Sequence, residues 1–298
     1  MRPGFVTGVL GRIILGAGIV ILLFVAYQLW GTGLAESHSQ DVLRDQFNAQ
    51  LHRSKPGSTT TSPTLPGGHD QPTVGTPGAA PGEGGPVGIL RIAKIGLNKV
   101  IVEGTSTTDL RQGPGHYSGT PLPGQAGNVS IAGHRTTYGA PFYNLDSLTR
   151  GDLIKITTLQ GTFRYRVTGS LTVSPNDVSV VAATSTPELT LTTCTPRFSA
   201  AQRLVVHAAL ASAAAPGAPA RPHGGTTANG LAGGQGDWLP ALLWGVLTVA
   251  VGVATWFVAR RWRGRLRRSI VYGAGTVLAL LAMFFFFGAV SPLLPASF

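Results

Sequence analysis

Leu189-Thr190-Leu191-Thr192-Thr193-Cys194 alternates like a strand and ends on the only cysteine of the chain. Nine residues further on, Arg203 opens a second apolar run, Leu204-Val205-Val206. Sixty residues upstream, Val129-Ser130-Ile131-Ala132-Gly133 ends on His134. A thiol, an imidazole and a guanidinium, each at a strand terminus, are the parts that acyl transfer through a thioester requires. A cysteine is intrinsically nucleophilic but only a few per cent ionised near neutral pH, so it needs a base or a cationic neighbour. An arginine stays charged at any working pH and can brace a developing oxyanion. Without such context a lone cysteine reads as a small, inert core residue.

Working outward, Leu189 to Thr193 and Leu204 to Ala208 belong to a series of short strands. Ile89-Leu90-Arg91-Ile92 and Val100-Ile101-Val102 flank a turn expected at Gly96-Leu97-Asn98. Val129-Ser130-Ile131 precedes Gly133-His134. Leu153 to Thr157 and Thr162 to Val167 alternate around Gln160-Gly161, a hairpin signature. Helical character is confined to Thr107–Arg111 and a turn near Phe142–Leu148. Many short strands joined by Gly/Pro turns indicate a barrel or sandwich. The folded domain is expected at 87–211, whose 125 residues suffice for one independent core.

The rest of the chain reads as membrane and linker. Residues 1–12 form a basic cytoplasmic N-terminus and 13–30 a transmembrane helix, long enough for a bilayer and ending on an aromatic pair, Tyr27 and Trp30. A cleaved signal peptide would have a shorter apolar region and small residues after it. Residues 31–53 read as a polar juxtamembrane stalk with Leu43, Phe47 and Leu51 on one face. Residues 54–86 form a linker with 7 Pro and 8 Gly in 33 residues, too poor in apolar side chains to bury a core. As a flexible coil it would span roughly 30 Å and let the domain beyond work away from the bilayer. A second linker, 212–238, leads to transmembrane helices at 239–259 and 269–290, with a C-terminal tail at 291–298.

Between those two spans, residues 260–268 carry six arginines, a strong signal for a cytoplasmic loop. The expected topology therefore places the N-terminus inside and residues 31–237 outside: a multi-pass cell-membrane protein with an extracytoplasmic domain. The net charge of +11 follows from that orientation. Without Arg2, Arg12 and the six loop arginines, 15 basic residues face 12 acidic ones. The balance gives no reason to expect a nucleic-acid partner. An unpaired thiol outside the membrane has no disulfide partner within the chain and calls for a chemical role.

Other polar residues receive plainer readings. His116 lies in the loop Gly113-Pro114-Gly115-His116-Tyr117 and is expected at the surface or behind the site. His207 alternates on a strand and reads as structural. His38, His52, His69 and His223 fall in the stalk or linkers. No group of Cys, His and carboxylates has metal-ligand spacing, and no cofactor is implied. Glu103 and Asp109 alone are too few for a calcium site.

Taken together, Thr190-Leu191-Thr192-Thr193-Cys194-Thr195-Pro196, Arg203-Leu204-Val205-Val206 and Ala132-Gly133-His134-Arg135 resemble the sortases of Gram-positive bacteria. That family carries T-L-x-T-C, an Arg about nine residues later and a His upstream. The stretch from Gly124 to Arg135 is similar to the family's third-strand region, and Phe198-Ser199-Ala200-Ala201-Gln202-Arg203 most resembles the actinobacterial class E enzymes. The resemblance implies a mainly β fold, a closed eight-stranded sortase-type β-barrel with short helices, here joined to three transmembrane helices. It implies Cys194 as nucleophile, His134 as general acid or base, Arg203 as oxyanion or carbonyl donor, and Thr193 on the substrate or oxyanion side. Its partners would be surface proteins with a C-terminal sorting signal of the L-A-x-T-G or L-P-x-T-G kind and a peptidoglycan-precursor amine as acceptor.

Chemistry alone gives thiol acyl transfer, since water and amine acceptors need the same acyl-enzyme. A papain-type cysteine hydrolase places Cys before His, the reverse of the order here. L,D-transpeptidases use an S-x-G-C context that Thr192-Thr193-Cys194 lacks. The paired C-terminal spans leave a pilin-polymerising role open, although no D-P-F or D-P-W lid motif precedes the barrel. A non-catalytic, wall-binding barrel is the remaining alternative.

Overall fold

Eight strands close into a single barrel in the order β1-β2-β3-β4-β7-β8-β6-β5. The computed structural model describes residues 3–54, 80–212, 238–261 and 264–291. Most of the expected linkers (residues 55–79 and 213–237), two residues of the arginine loop and the C-terminal tail lie outside them.

The strands are β1 (Pro86–Ile92), β2 (Leu97–Glu103), β3 (Gly115–His116), β4 (Asn128–Ala132), β5 (Leu153–Thr158), β6 (Gly161–Val173), β7 (Glu188–Thr195) and β8 (Gln202–Leu210). The β1–β2 connection is a 3-10 turn over Ala93–Ile95 closed by left-handed Gly96, so the chain reverses earlier than Gly96-Leu97-Asn98 and Leu97 already pairs with Ile92. Alternate side chains point inward. Leu90, Ile92, Ile131, Ile154, Ile156, Leu189, Leu191 and Val206 thus meet in one core, with Tyr165 fully buried among them. Burying a phenol is tolerable only with a partner, and the Tyr165 hydroxyl accepts the Gly124 amide at 2.8 Å. Two pairings are parallel, β2 with β3 and β4 with β7. The second brings the ends of β4 and β7 to the same rim.

The stretch expected to be a stalk is instead part of the barrel unit. Helix α2 (Thr32–Ser54) buries Leu43 and Phe47, and Leu43 packs on Val100 and Val102 of β2. The reason lies in β3, which pairs with β2 only at Val102 and Glu103. Above that point the outer edge of β2 lacks a strand. Gln40 supplies one: its Oε1 accepts the Val100 amide at 2.7 Å, and its Nε2 donates to the Val100 carbonyl at 3.1 Å and the Gln112 carbonyl at 2.7 Å. Arg44 donates to the Asn98 carbonyl, and Lys99 pairs with the buried Glu36 at 2.7 Å. The polarity that suggests a solvated helix serves to complete a sheet edge.

The second unit is helical. α1 (Pro3–Ala26), α4 (Trp238–Arg261) and α5 (Arg265–Val290) are long and apolar enough to cross a membrane. A π-helical turn, Tyr27–Gly31, follows α1. Edge-to-face contacts join Phe24 to Phe287 and Tyr27 to Phe284, and Trp244 stacks on Phe285. Their exposed leucines, valines and phenylalanines need an apolar solvent.

Candidate active site

β7 and β8 form an antiparallel hairpin in which Cys194 stands directly opposite Arg203. Any two residues in that register are neighbours, so a nine-residue spacing places the guanidinium beside the thiol without further help. Arg203 is steadied by its own loop, donating to the Ala200 and Gln202 carbonyls at 3.3 and 3.4 Å.

His134 arrives from β4. Ala132 pairs with Thr192 in the parallel register, and the Gly133 amide donates to the Thr192 carbonyl at 3.1 Å. The Thr193 hydroxyl donates to the Gly133 carbonyl at 2.7 Å, locking the two strand ends together. Continuing the same register past β4 brings His134 to the rim of the barrel where Cys194 stands. Gly133 is required for close packing: a Cβ there would lie 2.6 Å from the Phe142 ring. Thr193 is buried, with its hydroxyl engaged in that inter-strand bond.

Electrostatics set the resting state. Burial raises the Cys194 pKa, against the pull of Arg203 and then Arg135. Burial lowers that of His134 to about 4, with the Arg111 guanidinium adding to the shift. The ring still touches solvent, but its surroundings desolvate it. Both groups are therefore uncharged at neutral pH, a thiol and a neutral imidazole.

Several supporting residues carry no sequence signal of their own. Arg135 is buried and makes three links at once: to the Tyr143 carbonyl at 3.2 Å, the Cys194 carbonyl at 3.2 Å and Asp146 at 2.8 Å. Asp146 also receives Arg197, whose guanidinium lies over the Tyr143 ring. The cysteine backbone is thus tied to the loop after His134. Tyr117 bonds Thr192 through its hydroxyl at 3.1 Å, and burial raises its pKa against the pull of that bond and of Arg203. On the other side, the Tyr138 ring lies 5.0 Å from His134, and Arg111 lies 5.7 Å from Tyr138. Tyr138, Gly139 and Ala140 have φ of 50°, 70° and 41° in succession. For the two non-glycine residues such backbone costs on the order of 1–3 kcal/mol each.

His116 is not at the surface. It is fully buried on β3, with Nδ1 2.7 Å from Glu103 Oε2 and Nε2 3.0 Å from both the Pro121 carbonyl and the Thr120 hydroxyl. The loop expected there contains a strand too short to show periodicity. His207 shares a hydrogen bond with Thr190 at 3.0 Å.

The sortase domain family matches residues 90–211. Sortase SrtE1 of Streptomyces coelicolor is 32% identical over 213 residues, covering 66% of this chain and 55% of that protein, so the chain spans about half of that relative's length. Sortase SrtE2 of the same organism is 29% identical over 225 residues, covering 69% of this chain and 83% of that protein. A solved sortase E from Streptomyces avermitilis is 38% identical, covering 44% of this chain and 90% of that one at a TM-score of 0.40. Residues 90–211 are therefore a sortase domain.

Proposed function

We propose that the chain is a membrane-anchored cysteine transpeptidase, in which Cys194, His134 and Arg203 form the reacting set. The pairing of Cys194 with Arg203 across a hairpin, with His134 on the adjoining strand end, carries this reading. His134 accepts the thiol proton as Cys194 sulfur attacks the threonine carbonyl of a sorting signal. The oxyanion that forms is braced by the Arg203 guanidinium. The Thr–Gly C–N bond then breaks, and His134 returns the proton to the departing glycine amine, leaving a thioester on Cys194. An acceptor amine attacks that thioester, His134 takes its proton, and the thiol is released and reprotonated. Thr193 holds β7 against β4 beside the reacting carbonyl.

A resting neutral pair suits this sequence, because the proton moves only when substrate arrives. The substrate class is an L-A-x-T-G or L-P-x-T-G signal on a surface protein, and the acceptor is a peptidoglycan-precursor amine. The three apolar helices support a seat in the cell membrane, and the arginine asymmetry supports a cytoplasmic 260–268 loop with the barrel outside.

Mass spectrometry during turnover tests the covalent step. With L-A-x-T-G, L-P-x-T-G or N-P-x-T-N peptides and no added amine, a hydroxylamine-sensitive adduct is expected on Cys194. Cys194→Ala should abolish adduct and product while melting like the wild type, since only a sulfur is lost. Product formation without any mass increase at Cys194 would sink the mechanism. Release of acid rather than amide when amine is present would assign hydrolysis in place of transpeptidation.

A further inference from the structure

Two residues one turn apart on α2 reach the two chain segments that flank His134. Gln40 Nε2 donates to the Gln112 carbonyl at 2.7 Å, next in sequence to Arg111. Glu36 lies against Gly139, next in sequence to Tyr138: a Cβ on Gly139 would sit 2.4 Å from Glu36 Oε2. Tyr138 lies tilted against the His134 ring, and Arg111 lies over Tyr138 in turn. The helix therefore grips both sides of that stack. Glu36 is fully buried, and while its Oε2 pairs with Lys99, its Oε1 has no hydrogen-bond partner. A carboxylate in that condition is costly. The consecutive positive φ values at residues 138–140 are equally unfavourable unless neighbours impose them. Both features sit at the same contact between α2 and the loop after His134.

We propose that α2 is a structural member of the active site, with Glu36 and Gln40 as positioning residues that set the placement of Arg111 and Tyr138 around His134. This rests on the reading of His134 as the proton carrier. The groups acting on the ring are Arg111 from the end of α3 (Thr107–Leu110) and Tyr138 from its own loop, with Cys194 at the same rim of the barrel. Loosening the helix would let water reach the ring and Arg111 withdraw. Both changes move the imidazole the same way, upward.

The test uses the full chain in detergent micelles, with Gln40→Ala, Gln40→Glu and Gly139→Ala. His134 is followed by NMR, its signals assigned with His134→Gln, alongside kcat and KM on a fluorogenic sorting peptide. In Gln40→Ala the His134 titration should move up from about 4 toward the ordinary 6.5. At the same time kcat should fall about tenfold with KM within about twofold, the pattern of a lost transition-state arrangement. Gln40→Glu should do at least as much, since a carboxylate would face two carbonyl oxygens. Gly139→Ala presses a Cβ on Glu36 from the loop side and should shift the titration in the same direction even if the Gln40 variants fold poorly. Folded variants in which the His134 titration stays in place overturn the proposal and leave α2 as a cover for β2. The titration needs no turnover, so an inactive wild-type protein would count against the proposed activity without deciding the role of α2.

Discussion

Cys194 and Arg203 face each other across one hairpin, held by ladder hydrogen bonds and a short loop. His134 stands at the end of a strand whose surroundings come from α2, the end of α3 and its own left-handed loop. The first half of the site is local in sequence and needs little beyond sheet register. The second half is assembled from segments up to about a hundred residues apart. The hairpin half therefore supplies fixed charge at a fixed place, while the histidine half sets a proton affinity through burial and packing.

Substitutions can break that division. The largest effect is expected at Arg203, where the charge and the planar fork act together. Arg203→Lys keeps the first and loses the second, and turnover should fall about 100-fold in a normally folded barrel, comparable to removing one oxyanion donor. A near-wild-type rate would make the residue structural.

A smaller effect is expected at Arg135, which joins the two halves through the Cys194 carbonyl and Asp146. Arg135→Met fills similar space without the donors or the charge. Peptide acylation and iodoacetamide labelling of Cys194 should both slow, by about tenfold, the worth of one hydrogen bond to a charged group. Unchanged labelling with slowed acylation would assign Arg135 to the substrate side alone.

The gentlest change is in stability against pH. The folded-state pKa of His134 is depressed to about 4 from 6.5, so the unfolded chain binds more protons across that interval. Stability should fall as pH drops from 6.5 to 4 and level off below, with a slope of at most about 1.4 kcal/mol per pH unit from this group. His207, also lowered by burial, acts in the same sense, whereas Glu36, raised by burial, acts in the opposite one. Comparing melts with His134→Gln isolates the single ring. Parallel curves for the two proteins would refute the desolvated histidine.

What sequence reading reached and what it missed divide along the same line. Alternation in β5, β6, β7 and β8 announces strands because each has one face in the core, and the closed eight-stranded barrel expected from the resemblance is the fold observed. Cys194 and Arg203 are legible as a pair because antiparallel register makes spacing equivalent to contact. β3 is illegible: two residues, Gly115 and His116, carry no period. The burial of His116 depends on Glu103 and Pro121, which no spacing rule connects. Arg135 looks like an ordinary charged residue beside His134, because its partners lie in loops whose approach only the fold decides. The helix α2 misleads for a physical reason, since its buried face carries Glu36 and Gln40 where a core-facing stripe normally carries aliphatic residues.

The packing of α2 also changes what the Pro/Gly-rich segment after it can be. Ser54 ends a helix docked on β2, and Pro86 begins β1, the strand paired with β2. The chain thus leaves this packed unit at Ser54 and rejoins it before Pro86, a loop closure in connectivity; most of the linker expected at 54–86 lies outside the described residues. For a closure, length is nearly free: doubling the number of residues adds only about 0.6 kcal/mol of chain entropy. Leu43 and Gln40 hold α2 to β2 through contacts that do not depend on the length of chain between Ser54 and Pro86.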